Sequence, residues 1–255
     1  MKTWILNCHI MLAAITLLSL PAAAYTVSPS VVNLNSTGTS SSAFVQLTNK
    51  GIKPVAIEFS IHQHTKDIKG NAVRGLDASD DFIIYPAQVV MMPGDEVSVQ
   101  VLWIGESALK VERAYSLTTN EVAIPKQDQP ETGSGVRVNI TVLMNYEGRV
   151  YVAPQGAKPK VLVETIKTVT DLEDTAMVEV TLVNQGTAHQ SFRGMSLVFA
   201  PLDSSGNTLG EQAVAIASSN IPAMRPHLLA GTKRRLLVPR PEGLPPGPVS
   251  VQLSQ

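Results

Sequence analysis

The stretch VAIEFSIH at residues 55–62 places a large apolar side chain at every second position. In an extended chain Val55, Ile57, Phe59 and Ile61 share one face, and the residues between them share the other. This period of two predicts a β-strand that is buried on one side only.

Similar short segments follow one another along the chain, and turns rich in Gly, Pro, Asn and Asp separate them. The predicted strands cover residues 43–48, 55–62, 82–86, 97–103, 113–118, 136–146, 160–166, 176–183, 194–200, 212–217, 233–238 and 249–253. Strands at this spacing are typical of β-sandwiches, and 255 residues are enough for two of them. The sequence therefore predicts an all-β protein of two sandwich domains.

The first 24 residues have the layout of a cleaved secretory signal peptide. Lys2 precedes the apolar run 10–18, and the small residues Ala22, Ala23 and Ala24 precede Tyr25. The alternative is an uncleaved anchor, but the run is shorter than the roughly 20 residues of a membrane span. We expect a signal peptide at 1–24, a first domain at 25–154, a linker at 155–159 and a second domain at 160–255, with no membrane insertion.

Cysteine content and charge exclude several classes of function. The only cysteine, Cys8, lies in the predicted signal peptide, so the mature chain should have no disulfide, thiolate metal site or cysteine nucleophile. Without Lys2 the chain keeps 19 of its 20 basic residues against 21 acidic ones, a net charge of −2. This balance gives no reason to expect a nucleic-acid partner.

The segment 136–146 is unusual because, at 11 residues, it is about twice as long as an average strand. Its even-numbered positions, from Val136 to Tyr146, are all apolar. One interpretation is an ordinary core strand. The other is an edge strand whose apolar row extends past the core and serves a partner, because an exposed row of this kind is otherwise a liability.

Beyond these patterns, the chain resembles the periplasmic chaperones of the chaperone–usher pilus pathway, and more closely their divergent branches. The motifs that carry the resemblance are Leu47-Thr48-Asn49, Ile84-Tyr85-Pro86, Pro93-Gly94, Glu112-Arg113-Ala114-Tyr115, Ile124-Pro125, the strand 136–146 with the segment 149–154 after it, Asn184-Gln185-Gly186 and Leu244-Pro245-Pro246-Gly247. The resemblance implies two immunoglobulin-like domains arranged as an L or boomerang, a periplasmic location and no enzymatic activity or cofactor.

The resemblance also implies a mechanism, in which the chaperone lends a β-strand to a pilin subunit and delivers that subunit to an outer-membrane usher. By position, the residues that would enter the subunit are Val136, Val138, Ile140, Val142 and Met144. The family holds the subunit's C-terminal carboxylate with two basic residues, and Arg149 corresponds to one of them. Val31 occupies the position of the other. Arg113 is the candidate substitute, and a structural salt bridge is the alternative role for Arg113.

Other signals are weaker. His62 and His64 share one strand face and could bind a metal, but no third ligand is evident, so two solvated histidines are the preferred interpretation. His189 and His227 have no partner at a recognisable spacing. Two other functions remain alternatives: a structural pilus subunit or surface adhesin, and a secreted enzyme, for which no convergent acids are found. The free protein could also self-associate through its apolar edge.

Overall fold

The structure is a computed structural model, and it describes residues 25–124, 142–171, 173–224 and 227–254. The chain is built almost entirely from β-strands. In the first half these are β1 (Tyr25–Ser28), β2 (Val31–Asn35), β3 (Ser42–Asn49), β4 (Val55–Lys66), β5 (Ala72–Asp77), β6 (Phe82–Tyr85), β7 (Gln88–Met91), β8 (Glu96–Trp103), β9 (Arg113–Val122) and β10 (Asn145–Ala153).

The second half contains eight more strands within the described residues. They are β11 (Val161–Thr170), β12 (Ala176–Asn184), β13 (Gln190–Ser191), β14 (Ser196–Pro201), β15 (Val214–Ala217), β16 (His227–Leu228), β17 (Lys233–Pro239) and β18 (Val249–Ser254). The helices of the described ranges are single 3-10 turns at Thr39–Ser41, Ser79–Asp81, Gly210–Gln212, Ser218–Asn220 and Pro222–Met224. None of these helices is long and apolar enough to cross a membrane.

Each half forms a sandwich with its own hydrophobic core. In the first half a sheet with the order β1-β3-β8-β6 faces a sheet with the order β2-β10-β9-β4-β5, and β7 also pairs with β4. In the second half β11-β12-β17 faces β15-β14-β18, and β13 pairs with β16. The two cores share no residue. β10 ends at Ala153 and β11 begins at Val161, and the boundaries expected at residues 154 and 160 lie between them.

In each half, a buried asparagine at the end of one strand bonds to backbone carbonyls with its side chain. Asn49 closes β3 and Asn184 closes β12, and both side chains are buried. The Asn49 amide donates to the carbonyls of Lys53 and Met91, as the Asn184 amide donates to those of Ala188 and Leu228. Met91 and Leu228 are buried, so their carbonyls would otherwise lack a partner, and each Asn fixes the turn that follows its strand.

The predicted alternation is confirmed for most strands, with two kinds of difference. β1, β2, β5, β7, β13 and β16 were not predicted, because they are short or do not alternate clearly. The predicted strand 136–146 lies outside the described residues up to 141, was wrong for 142–144 and is confirmed for 145–146. Residues 142–144 are not strand, and β10 begins at Asn145 and continues to Ala153. At Met144 side-chain bonds add to a backbone bond. The Met144 N–H donates to the Glu121 carboxylate, and the Met144 carbonyl accepts from the Tyr25 hydroxyl and from the Glu121 N–H.

Candidate functional site

β10 is the strand that organises the candidate site, because only part of it has two neighbours. It pairs antiparallel with β9 from Asn145 to Val152. On its other side β2 runs parallel to it, but only from Arg149 to Ala153. The Arg149 N–H donates to the Ser30 carbonyl at 2.9 Å, where β2 is about to begin. Within the described residues, the edge from Asn145 to Gly148 therefore has no strand beside it.

The two faces of β10 have different surroundings. Val150 and Val152 are fully buried in the first core, and Tyr146 packs against that core at its margin. The Tyr146 ring meets the Tyr25 ring edge to face, with 4.8 Å between centroids. Even-numbered positions thus face the core of the first sandwich. Arg149 and Tyr151 lie on the opposite face, which is turned toward the second half of the chain.

The residues predicted for subunit binding have even numbers, like the core-facing residues of β10. Val136, Val138 and Ile140 lie outside the described residues. Val142 is 73% exposed and Met144 is 37% exposed, so neither has a core beneath it. Because side chains alternate along a strand, these residues would extend the face of Tyr146 if the strand continued toward the N-terminus.

Arg149 is the basic residue nearest the open edge. Its Nη1 donates to the Ser116 hydroxyl at 3.2 Å and to the Glu147 carboxylate at 2.7 Å. Its Nε and Nη2 have no partner among the described residues. These two atoms form one edge of the guanidinium, and that edge fits a carboxylate with two parallel hydrogen bonds. Val31 lies directly beside Arg149 in the parallel pair, so β2 brings no cation to this point.

A second cation approaches from β4 and was not predicted from the sequence. Lys66 is half-buried at the end of β4, and burial together with the charges of Arg234 and Arg149 lowers the pKa of its ammonium group. The ammonium makes no hydrogen bond or ion pair with any residue that the structure describes. The only sequence signal for Lys66 is its place four residues after His62 on the same strand.

Arg113 is not brought to Arg149. In the β9–β10 ladder Arg113 pairs with Val152, which faces the core, whereas Arg149 pairs with Ser116 on the opposite face. Arg113 forms an ion pair with Glu106. The structure therefore gives Arg113 the salt bridge that was its alternative role, with Glu106 as the partner.

The histidines gather between the two halves rather than in solvent. His64 is buried, and its Nδ1 lies 3.3 Å from the Ser116 hydroxyl, so the expectation of two solvated histidines was wrong for His64. His227 comes from the second half and bonds to the Tyr151 hydroxyl at 3.2 Å. Burial lowers the pKa of both His64 and His227 to about 4, and the charges of Arg149 and Lys66 act in the same direction. Both imidazoles are therefore neutral at pH 7.

His189 completes the junction. Its ring stacks on Tyr151 with 3.9 Å between centroids, and its Nδ1 lies 2.8 Å from the carboxylate of Glu112. Burial raises the pKa of the Tyr151 hydroxyl to about 12, so that it remains protonated. Spacing in the sequence could not reveal this contact, because Glu112 and His189 are 77 residues apart.

The junction is not arranged as a metal centre. No group of three or more His, Cys, Asp or Glu side chains in the described ranges could hold a metal ion. The groups that do converge are the cations of Arg149 and Lys66, the neutral imidazoles of His64 and His227, two hydroxyls, and the carboxylates of Glu112 and Glu147. They can bind an anion and offer hydrogen bonds.

Comparison with known proteins agrees with this architecture. The chain resembles three solved structures, each at 11–13% identity: a chaperone–tip adhesin complex of CFA/I fimbriae biogenesis, the class 5 fimbriae chaperone CfaA, and the SafB chaperone of Salmonella enterica in complex with the SafA pilin. The TM-scores are 0.54, 0.53 and 0.52. The first two matches cover 91% of this chain and 99% of the other, and the third covers 87% and 86%. They show the two-domain immunoglobulin-like fold of pilus chaperones.

The family follows from a match in sequence. The family model described as pili and flagellar-assembly chaperone, PapD N-terminal domain, matches residues 25–158, more than half of the chain. The chain therefore belongs to the pili and flagellar-assembly chaperones, and it is a chaperone of pilus assembly. No curated protein sequence matches it. The family is a family of binding proteins without enzymatic activity, and this membership speaks against a pilus fibre subunit or adhesin.

Proposed function

We propose that this protein is a periplasmic chaperone that caps pilin subunits by adding a strand to them and then delivers them to an outer-membrane usher. The observation that carries the proposal is the half-open edge of β10. β9 covers one side of Asn145–Gly148, and on their other side β2 begins only opposite Arg149. An uncovered strand edge of this kind offers backbone hydrogen bonds to an incoming strand.

The apolar row supplies the affinity. The side chains of Val138, Ile140, Val142 and Met144 would fill a groove in the subunit, with Val136 at the far end of the row. Each buried side chain contributes about 1.5–3 kcal/mol, and the cost of association offsets a large part of the sum. In the absence of a subunit the same row is available to a second copy of the chain, which gives the free protein a route to self-association.

Arg149 and Lys66 together would hold the C-terminal carboxylate of the subunit. Arg149 offers the free Nε–Nη2 edge of its guanidinium, and Lys66 offers an ammonium without a partner in the described part of the chain. A bound carboxylate would also relieve the repulsion between the two cations, which contributes to the lowered pKa of Lys66. Lys66 thus replaces Arg113 in the proposed pair.

Co-expression with the cognate subunit tests the strand addition. The wild type should give a 1:1 complex in native mass spectrometry, and the double variant Ile140→Asp/Val142→Asp should give none. The matched control is Asn139→Asp/Thr141→Asp, which adds the same charges at odd-numbered positions and should retain the complex. A complex that survives the even-numbered changes, in a variant whose Trp103 fluorescence is that of the folded wild type, would overturn the proposal.

A further inference from the structure

The turn between β4 and β5 is a rigid structure that projects from the first sandwich. The Asp67 carboxylate accepts the Asn71 N–H at 2.8 Å and the Asn71 side-chain amide at 2.8 Å. The Gly70 N–H donates to the Asp67 carbonyl at 3.0 Å. Gly70 has a φ of 92°, which L-residues with a side chain rarely adopt. We name residues 67–71 the hairpin tip.

The hairpin tip contacts the second sandwich at the edge of a sheet. β17 is the last strand in the order β11-β12-β17, and Arg235 pairs with Thr181 of β12 on its inner side. On its outer side the Arg235 N–H donates to the Ile68 carbonyl at 2.7 Å. The hairpin tip therefore occupies a backbone donor of an edge strand that would otherwise face outward.

The neighbouring residue, Arg234, lies buried beneath the hairpin tip. It is 1% exposed, and its Nη1 and Nη2 donate to the carbonyls of Ala223 and His227 at 2.6 and 3.1 Å. A Cβ atom at Gly70 would lie 2.6 Å from Nη1 and 2.8 Å from Cζ of this guanidinium. Because the two carbonyls hold the guanidinium in place, it cannot move away freely. Only a glycine at position 70 fits against it.

We propose that the hairpin tip is an interdomain lock, in which Gly70 packs on the Arg234 guanidinium and Ile68 bonds to Arg235, and that this contact sets the angle between the two sandwiches. Lys66 lies at the base of the same hairpin, at the end of β4, so the lock also positions this cation. The contact lies within the free protein and does not depend on any subunit.

The chain contains its own control for this contact. Residues 203–207 form a turn with the same bonds, in which the Asp203 carboxylate accepts the N–H and side-chain amide of Asn207 at 2.8 and 3.0 Å. Gly206 has a φ of 83°, and a Cβ atom there would have no atom within 4 Å. Gly70→Ala and Gly206→Ala therefore carry the same backbone strain, but only Gly70→Ala adds a steric conflict with the second sandwich.

Electron–electron distance measurements between the sandwiches test the lock. The mature chain has no cysteine, so Thr37→Cys and Glu242→Cys allow one spin label on each half. Gly70→Ala should shift or broaden the distance distribution, while Gly206→Ala should leave it as in the wild type. Equal distributions in the wild type and both variants would overturn the proposal, as would equal changes in the two variants.

A second measurement keeps the test decisive if Gly70→Ala lowers stability. Denaturant is added so that the two variants have the same free energy of unfolding. Under these conditions the backbone amide of Arg235 should exchange with solvent faster in Gly70→Ala than in Gly206→Ala. The double variant Gly70→Ala/Arg234→Leu removes the guanidinium that the added Cβ would meet. Its interdomain distance should therefore equal that of Arg234→Leu alone. An alanine effect that persists in the Arg234→Leu background would contradict the role of Gly70 against Arg234.

Discussion

Lys66 and Arg149 come from different strands of one sheet, β4 and β10, and the charge of Arg149 helps to lower the pKa of Lys66. Two like charges held close together raise the energy of the unbound protein. That cost is tolerated where an anion is to be bound, because the ligand removes the repulsion and supplies hydrogen-bond acceptors in the same step. In the proposed function, the pair therefore serves to bind the subunit rather than to stabilise the fold.

The first prediction concerns the choice between a carboxylate and an amide. A peptide with the sequence of a cognate subunit's C-terminus should bind the wild type about tenfold more tightly as the free acid than as the amide, since charge-assisted bonds contribute about 1.5–3 kcal/mol. Lys66→Gln should reduce this preference, and so should Arg149→Gln. Isothermal titration calorimetry measures both affinities.

Lys69 provides the control for that experiment. It is an exposed lysine on the hairpin tip, three residues from Lys66. Lys69→Gln removes the same charge from the protein without changing the cleft. A loss of acid preference in Lys69→Gln equal to that in Lys66→Gln would mean that the effect is general electrostatics and not a site.

The buried histidines lead to a prediction about pH. The pKa of His64 and His227 is about 4 in the folded protein and about 6.5 in an unfolded chain, so the unfolded state takes up protons first. Stability should be complete above pH 6.5 and should fall as the pH is lowered from 6.5 toward 4, by up to about 3 kcal/mol for a single buried histidine. Urea unfolding measured at a series of pH values follows this change.

A pair of variants assigns the pH effect to its source. His64→Gln should flatten the dependence of stability on pH between 6.5 and 4. His62→Gln, at a less buried position on the same strand, should leave that dependence as it is. An unchanged slope in His64→Gln would show that the acid sensitivity arises elsewhere in the chain.

At the scale of elements, an aromatic cluster joins the two sheets of the first sandwich. Phe82 of β6 lies edge to face against Trp103 of β8 at 5.1 Å and against Tyr115 of β9 at 4.9 Å. β6 and β8 belong to one sheet and β9 to the other. The cluster thus holds β9 in place, and β9 is the strand on which β10 is built.

This cluster gives a prediction about the independence of the two sandwiches. Phe82→Ala should destabilise the first sandwich by about 3–5 kcal/mol, as expected for a deleted buried aromatic ring. Trp103 is the only tryptophan after the predicted signal peptide, so its fluorescence reports on this sandwich alone. The fluorescence midpoint in urea should fall, while the circular dichroism should reveal a second transition near the wild-type midpoint.

Phe199→Ala is the corresponding change in the second core, where Phe199 is fully buried. It should move the transition seen by circular dichroism and leave the Trp103 midpoint nearly unchanged. If either variant shifts the fluorescence and circular dichroism midpoints together, the two sandwiches unfold as one cooperative unit. That result would contradict the prediction that each core is stabilised independently.

Strands with regular alternation could be predicted from the sequence because burial on one face leaves a local signature. β4 and β8 are of this kind. β2 could not be predicted in this way, since its role depends on lying parallel to β10, more than 100 residues away. The start of β10 was misplaced for a related reason. The apolar row is continuous through residue 146, and the contacts that Met144 makes with Glu121 and Tyr25 leave no mark in that pattern.

At the scale of the whole molecule, the site arises from the meeting of two sandwiches. The resemblance in sequence correctly indicated the family, and its assignment of Arg149 to the carboxylate anchor stays a prediction. It did not reveal Lys66, His64 or His227, because each depends on a contact between strands that the sequence does not pair. The interdomain partners of Tyr151 are likewise set by the way the second sandwich packs on the first.

The measurement that tests the central claim most directly is amide hydrogen exchange at Glu147, followed by nuclear magnetic resonance with and without a subunit. The Arg149 N–H points to β2 and bonds to Ser30. Two residues earlier the Glu147 N–H points the same way, past the end of β2, and has no acceptor among the described residues. Strand addition predicts that Glu147 exchanges rapidly in the free protein and at least tenfold more slowly in the complex, while Arg149 is protected in both. A stable 1:1 complex in which Glu147 exchange is unchanged would contradict it.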